Sequence, residues 1–378
     1  MSHQPREYDA VLGGENPIPI YGAVLGGIEG VKRRFANPVA DVRAIAITQA
    51  ANYGKEGLDL IIEALNDTSG IVRGVAYETL QQKLKEPFMQ GSKTRVRKEL
   101  ANFDILKIFT TLDDWVIQDF NPDIGIIDTA SIAYNVNSIE ELKTLLNTSR
   151  ISELQALSLE IEPDEINSAI DILLKEYKSL SNVCALCIGE NTRNKPYPKG
   201  RIDIGKILIL YPHLNLLQIE GVIDITFSAV QHNKLKSLIL NTCWLKNLNV
   251  HKINDFETSN LEYLYWFVEG FTEKKASDYL LSSIDLKKLK YLNWKIKLNY
   301  DYVASVLISK KVINNLIGLD LSNGNLTDKG AYNLFMSSAI KNLQFLNVNN
   351  NNLSPEMVKN LSKLKCKVIA NSQQYHRR

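Results

Sequence analysis

From residue 154 to the C-terminus, apolar positions recur with two nested periods. The inner one reads Leu-x-x-Leu-x-Leu, whose last two leucines alternate as in a strand with one buried face. The outer one repeats that unit. Full copies begin at Leu235 (Leu238, Leu240, then Cys243 and Leu245) and Leu343 (Leu346, Val348, then Asn351 and Leu353). Partial copies begin at Leu154, Val183, Leu214, Leu261, Leu289 and Leu316, so successive starts lie 29, 31, 21, 26, 28, 27 and 27 residues apart. Between them, 165–177 and 301–309 carry helical periodicity, and Ser354-Pro355 is a strong helix start, a capping hydroxyl followed by proline at the first helical position.

This pattern resembles the leucine-rich repeat. Periods near 28 with whole helices between strands resemble the ribonuclease-inhibitor type. The resemblance implies a parallel sheet with helices on its convex side. It also implies an Asn or Cys at each turn that satisfies backbone groups where the chain leaves the strand. Asn351 and Cys243 keep that turn position, whereas Gly324 and Val222 depart from it.

Residues 37–86 have a different texture. Val42, Ile45, Ala46 and Ala50 share one helical face, Leu58, Ile61, Ile62 and Leu65 a second, and Val72, Val75, Ala76 and Leu80 a third. Asn37-Pro38 is the expected start of the first helix and Gly54 its stop. Val42-Arg43-Ala44-Ile45-Ala46 returns 30 residues later as Val72-Arg73-Gly74-Val75-Ala76, with Asp41 and Asp67 nearby. This resembles the HEAT repeat. With the preceding segment, residues 8–86 resemble the N-terminal part of cyanobacterial repeat proteins, which implies a bacterial cytoplasm. Residues 101–150 read as a connector packed on its neighbours, with strand-like runs at 105–109 and 124–127 and a helix at 138–146.

Ala-Val-Leu-Gly-Gly occurs twice before these helices, at 10–14 and 23–27. It is no phosphate loop: Val31 separates Gly30 from Lys32, and Arg33 stands where a hydroxyl is required. Val11, Leu12, Val24, Leu25 and Ile28 are expected as buried anchors, each glycine pair permitting positive φ.

Composition narrows the function classes. With 45% hydrophobic residues over 378, the chain can bury a large core, and a net charge of +2 gives no field that would draw nucleic acid or an anionic membrane. The basic stretch at 93–98 lacks interleaved aromatics and reads as a solvated face. The N-terminal residues lack a leader pattern, and four cysteines make no disulfide framework, so a cytoplasmic protein is expected. Cys184 and Cys187 lie on a repeat strand, where residues three apart point to opposite faces and cannot share a metal. The five histidines are scattered, and Asp113-Asp114 beside Trp115 reads as a solvated loop. No nucleophile, base and oxyanion donor assemble.

The sequence therefore describes an α/β solenoid of leucine-rich repeats, with parallel β-strands and convex helices, preceded by a small all-α HEAT-like domain. Its parts are an N-terminal segment (1–36), a helical domain (37–100), a connector (101–150) and the solenoid (151–378). The expected function is non-enzymatic scaffolding: binding another protein through the concave face. The residues expected there are Tyr263, Tyr265, Phe267, Tyr291, Asn293, Lys295, Asp320, Phe345 and Asn347. Aromatics on exposed strand positions supply large contact area at small entropic cost. No catalytic residue, metal or cofactor is expected, and neither membrane nor nucleic acid is an expected partner. The alternative is an accessory factor, resembling phycobilin lyases or chaperones, that acts through the HEAT-like part.

Overall fold

The computed structural model describes residues 27–86, 90–189, 200–221, 223–242, 256–268, 286–296 and 299–374. The chain divides into two compact units, Met1–Ile108 and Phe109–Arg378. Val11, Leu12, Val24, Leu25, Val222 and Cys243 lie outside the described residues. Of the glycine-paired segment, Gly27 takes φ +57° and Ile28 is half-buried.

The first unit is helical: α1 (Gly27–Phe35), α2 (Ala40–Ala50), α3 (Gly54–Glu63), α4 (Gly70–Lys85) and α5 (Gln90–Asn102). The periodic apolar residues form its interior, with Ala46, Ile47, Ala50, Ile61, Val72, Ala76 and Leu80 all inaccessible to solvent. Two sequence expectations shift. Helix α2 starts at Ala40 rather than Pro38, because the Asn37 carboxamide accepts from the Val39 N–H in a turn that precedes the helix. Gly54, at φ +55°, begins α3 instead of ending α2.

The two Val-Arg copies are equivalent in three dimensions. Arg43 Nη1 donates to the carbonyls of Asn37 and Pro38, six and five residues back. Arg73 Nη1 donates to those of Asp67 and Thr68, again six and five back. Each guanidinium thus caps the turn before its own helix. Arg43 also grips Asp67 through two parallel bonds of 2.9 and 2.8 Å. The basic stretch 93–98 lies on α5, where Val96 is fully buried and Arg95 pairs with Asp59.

The second unit is built on an eleven-stranded, all-parallel sheet. Its strands are β1 (Val116–Asp119), β2 (Ile132–Val136), β3 (Ala156–Glu160), β4 (Ala185–Gly189), β6 (Leu216–Gly221), β9 (Ser237–Thr242), β11 (Tyr263–Val268), β12 (Tyr291–Ile296), β13 (Gly318–Asp320), β14 (Phe345–Asn347) and β15 (Lys367–Ile369). Two short parallel pairs stand apart from it: β5 (Gly200–Asp203) with β7 (Ile223–Thr226), and β8 (Val230–Gln231) with β10 (Phe256–Glu257). Helices α6 (Ile139–Leu146), α7 (Ile166–Lys175), α8 (Ile204–Leu210), α9 (Tyr300–Ser309), α10 (Asp328–Met336) and α11 (Pro355–Leu361) fall between strands of the large sheet. Ser138 and Ser354 cap α6 and α11 by accepting from the Glu141 and Met357 N–H groups. The all-parallel order follows from one strand per repeat, since each return path runs over the same side of the sheet.

The segment 101–150, expected to be a connector, supplies the first two strands of this sheet. The expected strand runs are not strands. Residues 105–108 form a 3-10 turn that buries Ile105 and Ile108, and 124–127 form a loop that buries Ile126 but exposes Ile124 and Ile127. In a 3-10 turn residues three apart eclipse one another, which is the spacing of the two buried isoleucines.

Leucines at the repeat positions face the helices. In register across the sheet stand Leu157, Leu186, Leu217, Leu238, Leu264, Leu292, Leu319 and Leu346, each 0 or 1% exposed, and they share one core with the convex helices. Asn351 does what the pattern requires. Its buried Nδ2 donates to the carbonyls of Leu321, Val348 and Asn349, and its Oδ1 accepts from the Leu326 N–H. One repeat earlier the position is Gly324, and a Cβ there would lie 2.0 Å from the Tyr300 ring. The Tyr300 hydroxyl donates to the Trp294 carbonyl at 3.1 Å, the counterpart of the Leu321 carbonyl served by Asn351. A tyrosine from the adjoining helix thus replaces the missing asparagine.

Candidate functional site: the sheet face opposite the helices

Side chains that alternate with the buried leucines form rows on the other face. The first runs through Ala133, Ala156, Ala185, Leu216, Ser237, Tyr263, Tyr291, Gly318 and Phe345, each in register with the next. This row is already covered. Phe109 packs its ring, tilted, against those of Tyr263 and Tyr291 with centroids 5.2 and 5.6 Å apart, and Leu112 packs into a cluster with the three alanines. Residues 109–115, with a 3-10 turn at Leu112–Asp114, therefore lie as a strap along the face expected to be free. Gly318 allows the Tyr291 ring to lie flat over the neighbouring strand, since a Cβ there would meet the ring at 2.5 Å. Burial pushes the hydroxyls of Tyr263 and Tyr291 up from their ordinary value.

The nine expected site residues fall into two groups. Tyr291 (3% exposed), Asn293 (5%), Asp320 (6%) and Phe345 (6%) are buried. Their burial has a structural cause: ring packing for Tyr291 and Phe345, and hydrogen bonding for the polar pair. Asp320 Oδ2 accepts from the amides of Asn347 at 2.9 Å and Asn293 at 3.4 Å, while its Oδ1 accepts from the Ser322 N–H. Tyr263, Tyr265, Phe267, Lys295 and Asn347 keep partial exposure. Lys295 Nζ sits 5.5 Å from the Tyr265 ring centroid, a cation–π distance, and Phe267 is in register with Lys295.

Sequence reasoning missed three features. The strap is one, its only trace being Phe109, Leu112 and Trp115 in a segment without repeat periodicity. The polar cluster at the start of the sheet is another: Asn135 Nδ2 donates to Asp119 Oδ1 at 3.0 Å and Glu160 Oε2 at 3.4 Å. These amide bonds, Asn135 first and Asn137 second, hold the Asp119 carboxyl below its ordinary value. The third is an asparagine ladder before the strands. Asn182, Asn260, Asn315 and Asn342 each donate to a carbonyl one repeat back, those of Ser152, Asn233, Lys287 and Asn314. The recurring Asn-Leu dipeptides at 260, 315 and 342 were its signal.

Neither Cys184 nor Cys187 forms a disulfide. Cys187 lies on the face opposite the helices, 6% exposed, and its thiol is pushed up to about 12 by burial and by the nearby Glu220 charge. Among the described residues no three His, Cys, Asp or Glu side chains are grouped to hold a metal ion, and no helix is long and apolar enough to cross a membrane. Asp113 is exposed and Asp114 half-buried on the strap.

No protein-family model and no curated protein sequence matches the chain. Among solved structures, a protein of Bacteroides fragilis superposes with a TM-score of 0.54 at 24% identity, covering 62% of this chain and 70% of its own. The likeness is one of fold. An internalin of Listeria monocytogenes aligns at 16% identity over 66% of this chain and 74% of its own, with a TM-score of 0.30. The parallel one-strand-per-repeat sheet and its leucine rows make the second unit a leucine-rich-repeat-type α/β solenoid.

Proposed function

We propose that the protein is a non-enzymatic interaction module that binds another protein on the open part of the sheet face opposite its helices. The observation that carries this reading is the adjacent, partly exposed set of Tyr265, Phe267 and Lys295 on β11 and β12. All three keep partial exposure, with Lys295 lying over the Tyr265 ring and Phe267 beside it in register. Aromatic and cationic side chains on a rigid strand lose little entropy on binding.

The helical unit supports the reading as a HEAT-like pair. Its two copies of Val-Arg make matching bonds six and five residues back, the equivalence a true repeat demands. We keep a bacterial, cyanobacterial-type cytoplasmic protein as the setting this resemblance implies.

The test is affinity capture from the native cell with wild type, Tyr265→Ala/Phe267→Ala and, as a control on a helix, Tyr332→Ala, which is 52% exposed. The expected result is a partner retained by wild type and the control and lost at least tenfold by the double variant. Equal retention by all three overturns the reading.

A further inference from the structure

The large sheet ends in two edges, β1 and β15, each of which pairs among the described residues with one strand, β2 and β14 respectively. Sheet edges are ordinarily blunted, often by lysine or proline. β1, Val-Ile-Gln-Asp, has neither. Val116 is 65% exposed and Ile117 51%, and in the loop that follows Ile124 and Ile127 are 61% and 55% exposed. Half of the exposed large apolar side chains among the described residues therefore lie within residues 116–127. At β15 the leucine row ends in Val368, which is half-buried, as are Leu364 and Ala370 beside it. Both ends of the core are thus left partly open.

The backbone groups at the two edges are complementary in phase. Along the sheet, residues on the face opposite the helices donate to the strand before: the N–H groups of Tyr263, Tyr291, Gly318 and Phe345 reach the carbonyls of Lys236, Glu262, Lys290 and Ile317. On β1 the Val116 and Phe120 N–H groups donate toward β2, to Ser131 and Asn135, so Ile117 and Asp119 turn their N–H and C=O groups outward. On β15 Lys367 donates back to Gln344 and Ile369 accepts from Val348, so Val368 between them turns outward. A parallel β1 placed after β15 continues this alternation and carries the leucine row on, with Gln118 beside Val368.

Charge selects this pairing over its alternatives. β1, β2 and the loop between them (116–136) hold Asp119, Asp123 and Asp128 with no lysine or arginine, a net −3. Arg150, which donates to the Ile127 carbonyl in this loop, is itself paired with Glu153. Residues 355–370, which include α11 and β15, hold Lys359, Lys363, Lys365 and Lys367 against Glu356 alone, a net +3. Pairing β1 with β1, or β15 with β15, sets like charges against each other. We infer that the protein binds a second copy of itself end to end, β1 of one copy pairing in parallel with β15 of the next. Such a contact is heterologous, so each copy keeps one open end and the sheet extends from copy to copy. It uses the ends of the sheet and is independent of the binding proposed for Tyr265, Phe267 and Lys295.

Sedimentation velocity of the full chain from about 1 µM to about 500 µM tests this. Wild type should pass from monomer through dimer to larger species, and should need at least about tenfold more protein to do so at about 0.5 M salt than at about 0.05 M. Ile117→Pro removes an N–H that points away from β2, a place where an edge strand tolerates proline, and blocks one end. Lys363→Glu/Lys367→Glu, at two exposed positions, blocks the other. Each variant alone should sediment as a monomer. Mixed in equal amounts they should form a one-to-one dimer and nothing larger, because one intact β15 edge then meets one intact β1 edge; the dimer also shows that both variants fold. Val116→Ser/Ile117→Ser, which removes the exposed apolar pair and leaves the backbone alone, serves in place of Ile117→Pro if proline loosens the strand. A wild type that stays monomeric over this range, a blocked variant that still dimerises by itself, or a mixture of folded variants that stays monomeric overturns the inference.

Discussion

Asn351 serves three carbonyls and one N–H from a single buried amide. Replacing it with alanine strands those groups away from water, and a buried unpaired group costs about 1–3 kcal/mol. Asn351→Ala should therefore lower stability by about 3 kcal/mol in urea unfolding, and a loss below about 1 kcal/mol would show that water takes over the role. At the preceding repeat the Tyr300 hydroxyl serves one of the equivalent carbonyls, that of Trp294, so Tyr300→Phe should cost about 1 kcal/mol. Gly324→Ala should cost about 2–3 kcal/mol, because the ring cannot move without losing that bond. The sequence announced Asn351 through its motif but showed Gly324 only as a gap, since the compensating tyrosine sits 24 residues away on a helix. His232 is a further residue-level constraint: 3% exposed, its Nδ1 accepts from the Leu235 N–H at 3.0 Å and its Nε2 faces the Tyr211 carbonyl. Burial lowers its pKa, the Tyr211 contact opposes this, and His213 adds to the lowering. The unfolded chain then binds the proton more readily, so stability is full above the unfolded value near 6.5 and declines as pH falls toward the lowered folded value. Unfolding midpoints measured from pH 7.5 to 5 should drop, and His232→Asn should flatten the drop; an identical slope in both would assign it to other groups.

Elements were legible in proportion to how faithfully they carried leucine. Every copy from Leu154 onward that falls within the described residues has its strand, and the alternation that placed residues toward or away from the helices is the observed one. The first strands escaped because their inward positions are Gln118 on β1 and Tyr134 and Val136 on β2, where packing against a terminal repeat tolerates other residues. At the other end Val368 alone marks β15. Among the helices, the strongest tie is the Arg43–Asp67 pair, whose side chains are 13% and 7% exposed, joining α2 to the turn before α4. Removing one member leaves the other charge poorly solvated, so Asp67→Ala should destabilise the helical unit by about 3 kcal/mol, near the lower end for a broken buried pair. Arg43→Lys should cost less but still register, since lysine cannot form two parallel bonds to the carboxylate. Hydrogen exchange on α2 and α4 reads both, and protection unchanged in Asp67→Ala would show the pair to be incidental.

In a solenoid each repeat touches chiefly its neighbours, so unfolding tends to break into stages as the array lengthens. The strap works against this. Phe109 reaches β11 and β12 through Tyr263 and Tyr291, while Leu112 packs with Ala133, Ala156 and Ala185 of β2, β3 and β4, so one short segment links strands at opposite halves of the sheet. Neither link could be read from the sequence, because the segment has no period of its own and the Phe109 link spans more than 150 positions. Truncating either anchor to alanine removes a buried side chain worth about 2–5 kcal/mol. The consequence expected here is larger than a shift in midpoint. With both anchors gone, the two halves lose their common contact, and Phe109→Ala/Leu112→Ala should unfold with a lower denaturant slope as the transition separates into stages. Exchange protection on β11 and β12 should then fall at a different denaturant concentration from that on β2 to β4, whereas in wild type the two sets should fall together. A double variant that keeps a single transition and an unchanged slope would mean that neighbour contacts alone hold the sheet together, and that the strap serves only to cover its first row.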